Sequence, residues 1–444
     1  MRKFLALIVV LALIMAVTAG CGGGNSGGGG ATTDTSGSGS GDNPLAGTKI
    51  TVILPENEMD TVGYHKAKTQ KFMDETGIQV ELINKGWEAV ADDVLADLAS
   101  GGGTYDVIEF DNSWVAKFIN NEWVIPLNDY MTDEMKSGML PGLLDKFSAD
   151  GNYYGITWNN DTRFYMYNKQ MLDAAGITEV PSTWDEVSAA AKILQSKNIA
   201  QYAYVDTYKQ EQMGTNELLF VIYSFGGQLI DDNNNPVANT DPGAREAYEY
   251  LAQAYKDNVF SKASLTLTYE EVADSFFGGN FPLFVQAWPG VYADSNDASK
   301  SQIVGNVAVA DFSVSKTGAE QAVLTLPEAM AITATSQNPD AAWEYIKYMS
   351  SKDTDKERSL AIGSLPIWSD LYNDSDLLAI YPYWEQFGKQ AQHAKGYPDI
   401  VWVDDFADIV AKVSQKILAG SETVDAGLNE MQGLLEDAKA RAGE

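Results

Sequence analysis

The sequence predicts an α/β fold built from two successive α/β regions. Three observations carry the prediction. Apolar strands and amphipathic helices alternate as β-α-β-α-β within residues 49–110, the signature of a doubly wound parallel sheet. A second run of helices with an apolar strand follows from residue 183. Of the 444 residues, 45% are hydrophobic, enough for two or three domain cores and against overall disorder.

The elements follow in order. KITVIL at 49–54 is a short apolar strand. Residues 61–75 have helical character and stop at Gly77, which suits a left-handed C-cap. IQVELI at 78–83 alternates as a strand, and 88–100 is an amphipathic helix with Val90, Val94, Leu95 and Leu98 on one face. Three glycines end that helix before the strand YDVIEF at 105–110. In the second region, 183–196 is a helix capped by Ser182 or Thr183 with Glu186 in its first turn. Residues 216–225, 241–257, 340–350 and 406–418 read as further helices. FPLFVQ at 281–286 is a strand that runs into Ala287-Trp288-Pro289-Gly290.

Composition excludes several function classes. The formal charge is −32, from 62 acids against 30 bases, a field that repels nucleic acid and anionic membrane surfaces. Most of that charge serves as a solvated acidic surface. Two histidines and one cysteine argue against a His/Cys zinc site and leave no disulfide framework within one chain. No cofactor motif is present.

The N-terminus has the pattern of an address. Arg2 and Lys3 precede an apolar run at 4–17, too short for a typical membrane span and suited to a signal peptide. Thr18-Ala19-Gly20 and Cys21 follow, resembling a bacterial lipobox, with Thr18 where leucine is usual. Residues 22–43 are rich in glycine, serine and threonine and cannot bury a core; they form a tether spanning roughly 25 Å.

In doubly wound sheets ligands bind beyond the carboxyl ends of the strands. Three polar segments fall there: Pro55-Glu56-Asn57-Glu58, Asn84-Lys85-Gly86-Trp87 and Asp111-Asn112-Ser113-Trp114. Tryptophan beside acids and amides suits a sugar: aromatic faces cover the C–H faces of pyranose rings, and the polar groups take the hydroxyls.

Several segments, in order, resemble the maltose-binding-protein-like carbohydrate binders among the extracellular solute-binding proteins of ABC importers. They are TYDVIEFDNSWVAKFINNEWVIPLNDY, YGITWNNDTRFYMYNKQMLDAAGI, VPSTWDEV, SFGGQLIDD, FVQAWPG, LPEAMAITATSQNPDAAWEYIKYMSS, SLPIWSDLY and VSQKILAGSETVDAGLNEMQGLL. The resemblance covers about residues 48–440. It implies a two-lobed periplasmic-binding-protein fold of type II character, each lobe a mostly parallel sheet flanked by helices. The expected organisation is a signal peptide at 1–20 and a lipidated Cys21 with its tether through 45. One lobe then comprises 46–158 plus 327–362, and the other 160–324 plus 365–444. Hinge crossovers fall near 158–163, 323–328 and 362–366.

The resemblance also implies a monomeric receptor, tethered by lipid, that delivers a sugar to permease subunits without cofactor or metal. Expected ligand contacts are Glu56, Asp111, Asn112, Trp114, Trp158, Asp161, Arg163, Asn216, Gln286, Trp288, Trp368 and Trp402. Trp87 is a weaker candidate. Trp123, Trp184 and Trp343 are read as core, Trp384 is left open, and His65 is read as an exposed helix residue. Asp161 and Arg163 could instead brace the crossover as an ion pair. Two alternatives stay open: a polyamine or other cation as ligand, and an anchored glycoside hydrolase using Asp111 and Asp161.

Overall fold

The computed structural model describes residues 43–56, 60 and 62–443. The expected signal peptide, Cys21 and most of the tether lie outside the described residues, as do Asn57 and Glu58.

The first α/β region forms as β1 (Lys49–Pro55), α1 (Tyr64–Thr76), β2 (Gln79–Lys85), α2 (Trp87–Ala99) and β3 (Val107–Asp111). Its helix ends follow local chemistry. Gly77 closes α1 at φ 74°, and a Cβ there would meet Ala46 Cβ at 2.9 Å, so both backbone and packing ask for glycine. β1 pairs in parallel with β2 and β3.

Five further strands of three or more residues are described: β4 (Ile156–Asn159), β5 (Phe164–Asn168), β6 (Leu283–Ala287), β7 (Val307–Val309) and β8 (Glu328–Ile332). The larger sheet has the order β2-β1-β3-β8-β4, with β8 antiparallel to both β3 and β4. The smaller has the order β6-β5-β7 and is antiparallel throughout. The α/β class stands, but the expectation of a mostly parallel sheet in each lobe is corrected for the second. There β5 runs against both neighbours, and only single bridges from Tyr204 to Phe260 and Leu283 extend the sheet in the parallel sense. Strand direction depends on long-range pairing, which local alternation does not encode.

Helices cover these sheets: α3 (Trp184–Ser196), α4 (Gln212–Ser224), α5 (Pro242–Lys256), α6 (Tyr269–Phe277), α7 (Pro339–Met349) and α8 (Val403–Leu418). The expected cap of α3 is a full capping box: Thr183 accepts from the Glu186 N–H, and the Glu186 carboxylate accepts from the Thr183 N–H. Trp184 and Trp343 are buried, as read from the sequence, and Trp123 packs edge-on against Phe118. Trp384 resolves as core, stacked on Tyr381 at 4.8 Å. Fully burying each such aromatic contributes about 1.5–3 kcal/mol.

Two segments link the sheets and run side by side. Arg163 N–H donates to Leu324 O at 2.9 Å, Leu326 N–H donates to Asp161 O at 2.8 Å, and the Thr162 and Thr325 hydroxyls meet at 2.9 Å. No described helix is long and apolar enough to cross a membrane.

Candidate functional site

A cleft of about 1180 Å³ opens at the strand ends. Pro55 and Glu56 at the end of β1, and Asp111 and Asn112 at the end of β3, contribute to one wall. Trp158 and Asn159 from β4 and the linking residues Asn160, Asp161 and Arg163 continue it. Asn216 on α4, Tyr269 on α6 and Trp288 after β6 come from the second region. Strands ending at one edge expose their next residues to the same space, which is why sequence-distant polar groups meet here.

Eight of the twelve expected residues therefore share one cavity: Glu56, Asp111, Asn112, Trp158, Asp161, Arg163, Asn216 and Trp288, joined by Trp87. The other four are placed elsewhere. Trp114 precedes a helix over Val115–Asn120 and stacks on Phe118, four residues on, at 5.2 Å. Its ring is 1% exposed. Trp402 likewise starts α8 and packs edge-on against Phe406, 6.3 Å away. A residue at a helix start folds its ring over the i+4 position when that position is apolar. Trp368 donates from Nε1 to Ser350 O at 2.9 Å, and its ring lies so close to Gly138 that a Cβ there would collide with it. Gln286 is fully buried inside β6 and donates to Val285 O at 3.0 Å. Alternation did turn it away from Ala287, but toward packed protein.

Three electrostatic features organise the cleft. Arg163 Nη2 donates to Asp161 Oδ2 at 2.7 Å, while its guanidinium lies 4.5 Å from the Tyr269 ring centroid and 5.9 Å from that of Trp288. The two rings are 4.6 Å apart. This gives an aromatic platform backed by a cation. Burial pushes the Asp161 carboxyl up, and the Arg163 charge opposes that.

Behind this platform lie two buried acids, Asp206 and Glu217. Burial lifts Asp206 to about 7, against a bond from the Thr207 N–H and the charge of Arg163. Glu217 is raised by burial and then by Asp206.

On the other wall, Glu109, Asp111 and Glu328 each bring a carboxylate oxygen within 4.8 Å of the others. Burial raises Asp111 to about 6, opposed by its bonds from the Ser113 hydroxyl and N–H. Glu109 is raised by burial and then by its two acidic neighbours, while Trp158 Nε1 donates to it at 3.0 Å. These oxygens form the one acid, histidine or cysteine group among the described residues with metal-holding geometry.

His65 corrects its sequence reading. It is half-buried, lines the cleft, and packs edge-on against Trp158 at 5.3 Å. Burial lowers its imidazole to about 4, with the nearby Arg358 charge adding to the effect.

Tyr269, Glu109 and Glu328 were missed. Thr268-Tyr269-Glu270-Glu271 is a capping-box signal and forms one, so the helix start that aims Tyr269 was open to reading. Glu109 lies two residues before Asp111 on one strand, hence on the same face. Glu328 had no local signal, because it joins the site through pairing of β8 with β3.

Residues 57–356 match the family of bacterial extracellular solute-binding proteins. A binding protein of Brucella abortus (strain 2308) is 24% identical over 397 residues, covering 86% of this chain and 91% of that protein. An amino-acid ABC transporter periplasmic-binding protein of Sinorhizobium fredii is 23% identical over 393 residues, covering 84% of this chain and 86% of that one. Maltose-bound MalE3 of T. maritima shares the fold with a TM-score of 0.80 and 22% identity, over 88% of this chain and 99% of that one. The chain therefore belongs to the bacterial extracellular solute-binding proteins, which are binding proteins rather than enzymes.

Proposed function

We propose that the protein captures a carbohydrate, of oligosaccharide size, in the cleft between its lobes and delivers it to the permease of an ABC importer. The observation that carries this reading is the pairing of aromatic rings with acids and amides around one cavity. Trp158, Trp288 and Tyr269 line the cavity together with Asp111, Asn112 and Asn216. Sugars need that combination. The cleft volume of about 1180 Å³ exceeds the range of roughly 300–1,000 Å³ typical of small-ligand pockets, which favours several rings. The maltose named with the MalE3 structure points the same way.

The mechanism is a population shift. One lobe binds first, the second adds contacts available only on closure, and the crossovers near 158–163, 323–328 and 362–366 act as hinge. We place the lobes at 46–158 plus 327–362 and at 160–324 plus 365–444. The mature chain is a monomer held at the outer face of the cytoplasmic membrane by lipid on Cys21, supported by the apolar run at 4–17 and the sole cysteine after it.

A second reading has one observation behind it. Seven acids and three lysine or arginine residues line the cleft, which favours a cationic ligand such as a polyamine. A thermal-shift and tryptophan-fluorescence screen separates the readings, using mono- and oligosaccharides, polyamines and amino acids. A ligand at 100 times its Kd stabilises the fold by about 2.7 kcal/mol. A shift with oligosaccharides alone is expected. A shift with spermidine or an amino acid, and none with any sugar, overturns the carbohydrate reading.

A further inference from the structure

The wall of the cleft that carries β3 and β8 gathers three carboxyl groups. Glu109 and Asp111 alternate on one face of β3, and Glu328 on β8 stands opposite Asp111 in the strand register. One oxygen from each lies within 4.8 Å of the other two. Oxygens held about 2.4 Å from a single ion are at most about 4.8 Å apart, which matches the bond lengths of calcium.

Two independent observations point to an occupant. Glu109 Oε1 is buried and has no donor among the described residues, although Trp158 Nε1 holds the group's other oxygen at 3.0 Å. Asn112 is 2% exposed, and its Oδ1 also has no donor among the described residues. Asn112 adjoins the trio through Nδ2, which donates to Asp111 Oδ2 at 3.3 Å; a half-turn of the amide puts Oδ1 there instead. A buried acceptor without a donor is costly, and here it adjoins acids that repel one another.

The donor chemistry selects the ion. Carboxylate and amide oxygens suit hard cations, whereas zinc and copper favour imidazole or thiolate. Magnesium demands a near-ideal octahedron and keeps several waters, while calcium accepts irregular oxygen sets. Asp111 and Glu328 line the cleft, so an ion reaches the trio from solvent and keeps coordination positions facing the ligand space. We propose that Glu109, Asp111 and Glu328, with Asn112 beside them, hold a calcium-class divalent cation on the wall of the binding cleft.

The test uses the metal alone, so it does not depend on which solute the cleft takes. Calcium is titrated into the chelator-treated full chain by calorimetry. Terbium emission sensitised by tryptophan excitation is followed in parallel, since Trp158 touches Glu109. One ion per chain is expected, with a rise in Tm that chelator reverses and terbium emission that calcium displaces. Glu328→Gln and Asp111→Asn should each weaken calcium by roughly tenfold or more, because affinity follows ligand charge. Asp437→Asn, an exposed acid on the C-terminal helix, should leave it unchanged. Calcium binding that survives both cleft substitutions, or no binding at millimolar calcium, overturns the proposal; the second result would mean that a proton shared among the acids offsets their repulsion.

Discussion

Arg163 Nη2 donates to Asp161 Oδ2 at 2.7 Å, on the segment that joins the two sheets. Arg163 is 3% exposed and Asp161 19%. The pair therefore braces the crossover from its buried side, while the carboxylate keeps an edge in the cleft.

Removing the acid leaves a buried guanidinium with less compensation. Asp161→Ala should lower the unfolding free energy by about 3 kcal/mol, read from denaturant midpoints at unchanged slope. Asp161→Asn keeps the shape and a hydrogen-bond acceptor, and should cost less. If Asp161 also holds the solute, Asp161→Asn lowers affinity in a direct titration. Unchanged affinity assigns it to bracing alone.

Trp288 is both wall and core. It lines the cleft, yet only 8% of it is exposed, and it packs against Tyr269 at 4.6 Å and Phe284 at 6.2 Å. A tryptophan that served only as cleft wall would be replaced by alanine at little cost to the ligand-free fold. The packing instead predicts a loss of about 3–5 kcal/mol, measured by urea unfolding without ligand, together with loss of binding. Trp288→Phe keeps most of the packing and should separate the two, retaining stability while weakening binding.

Local signals were the legible part of this chain. The β-α-β-α-β run, the Thr183–Glu186 capping box and the Gly77 stop all depend on neighbours within a few residues. Strand-end loops placed Glu56, Asp111 and Asn112 at the cleft for the same reason. Trp114, Trp368 and Trp402 misled because a tryptophan beside polar residues looks alike in sequence whether its ring faces solvent or folds back on the next turn. What decides is the partner: Phe118 for Trp114, Phe406 for Trp402, Gly138 and Ser350 for Trp368. Glu328 was invisible for the converse reason, since it reaches Asp111 across 217 residues of sequence, by pairing alone.

The buried acid Asp206 predicts an unusual pH response. Burial lifts its carboxyl to about 7, so between about pH 4 and 7 the folded chain keeps a proton that the unfolded chain has released. The stability tied to that proton is fully present at the acid end and is lost as pH rises through 7. Asp111, raised to about 6, acts in the same direction. His65 opposes them: burial lowers it to about 4, so its contribution is lost as pH falls from about 6.5 to 4. The difference between wild type and Asp206→Asn isolates one term. Wild-type Tm minus variant Tm should fall steadily from pH 4 to 7. A flat difference would mean that Asp206 is ionised in the fold throughout.

Contacts between the two proposed lobes carry charge. Lys146 pairs with Asp399 at 2.5 Å, Lys117 pairs with Asp404, and Gln212 Nε2 donates to Ser113 Oγ at 3.3 Å. Each contact joins a residue of the proposed first lobe to one of the second. The two aspartates are more than half exposed, so each ion pair is worth at most about 1 kcal/mol and is screened by salt. A neutral solute carries no charge to screen, so salt dependence of its affinity reports on ion pairs between the proposed lobes: these two, and those of Lys352 with Asp370 and of Lys356 with Asp374 and Asp376. Affinity should weaken a few-fold as ionic strength rises. The double variant Asp399→Asn with Asp404→Asn should bind more weakly at low salt and show a shallower dependence than wild type. Equal salt slopes in wild type and double variant would show that the two pairs form in the open and closed states alike and do not drive closure.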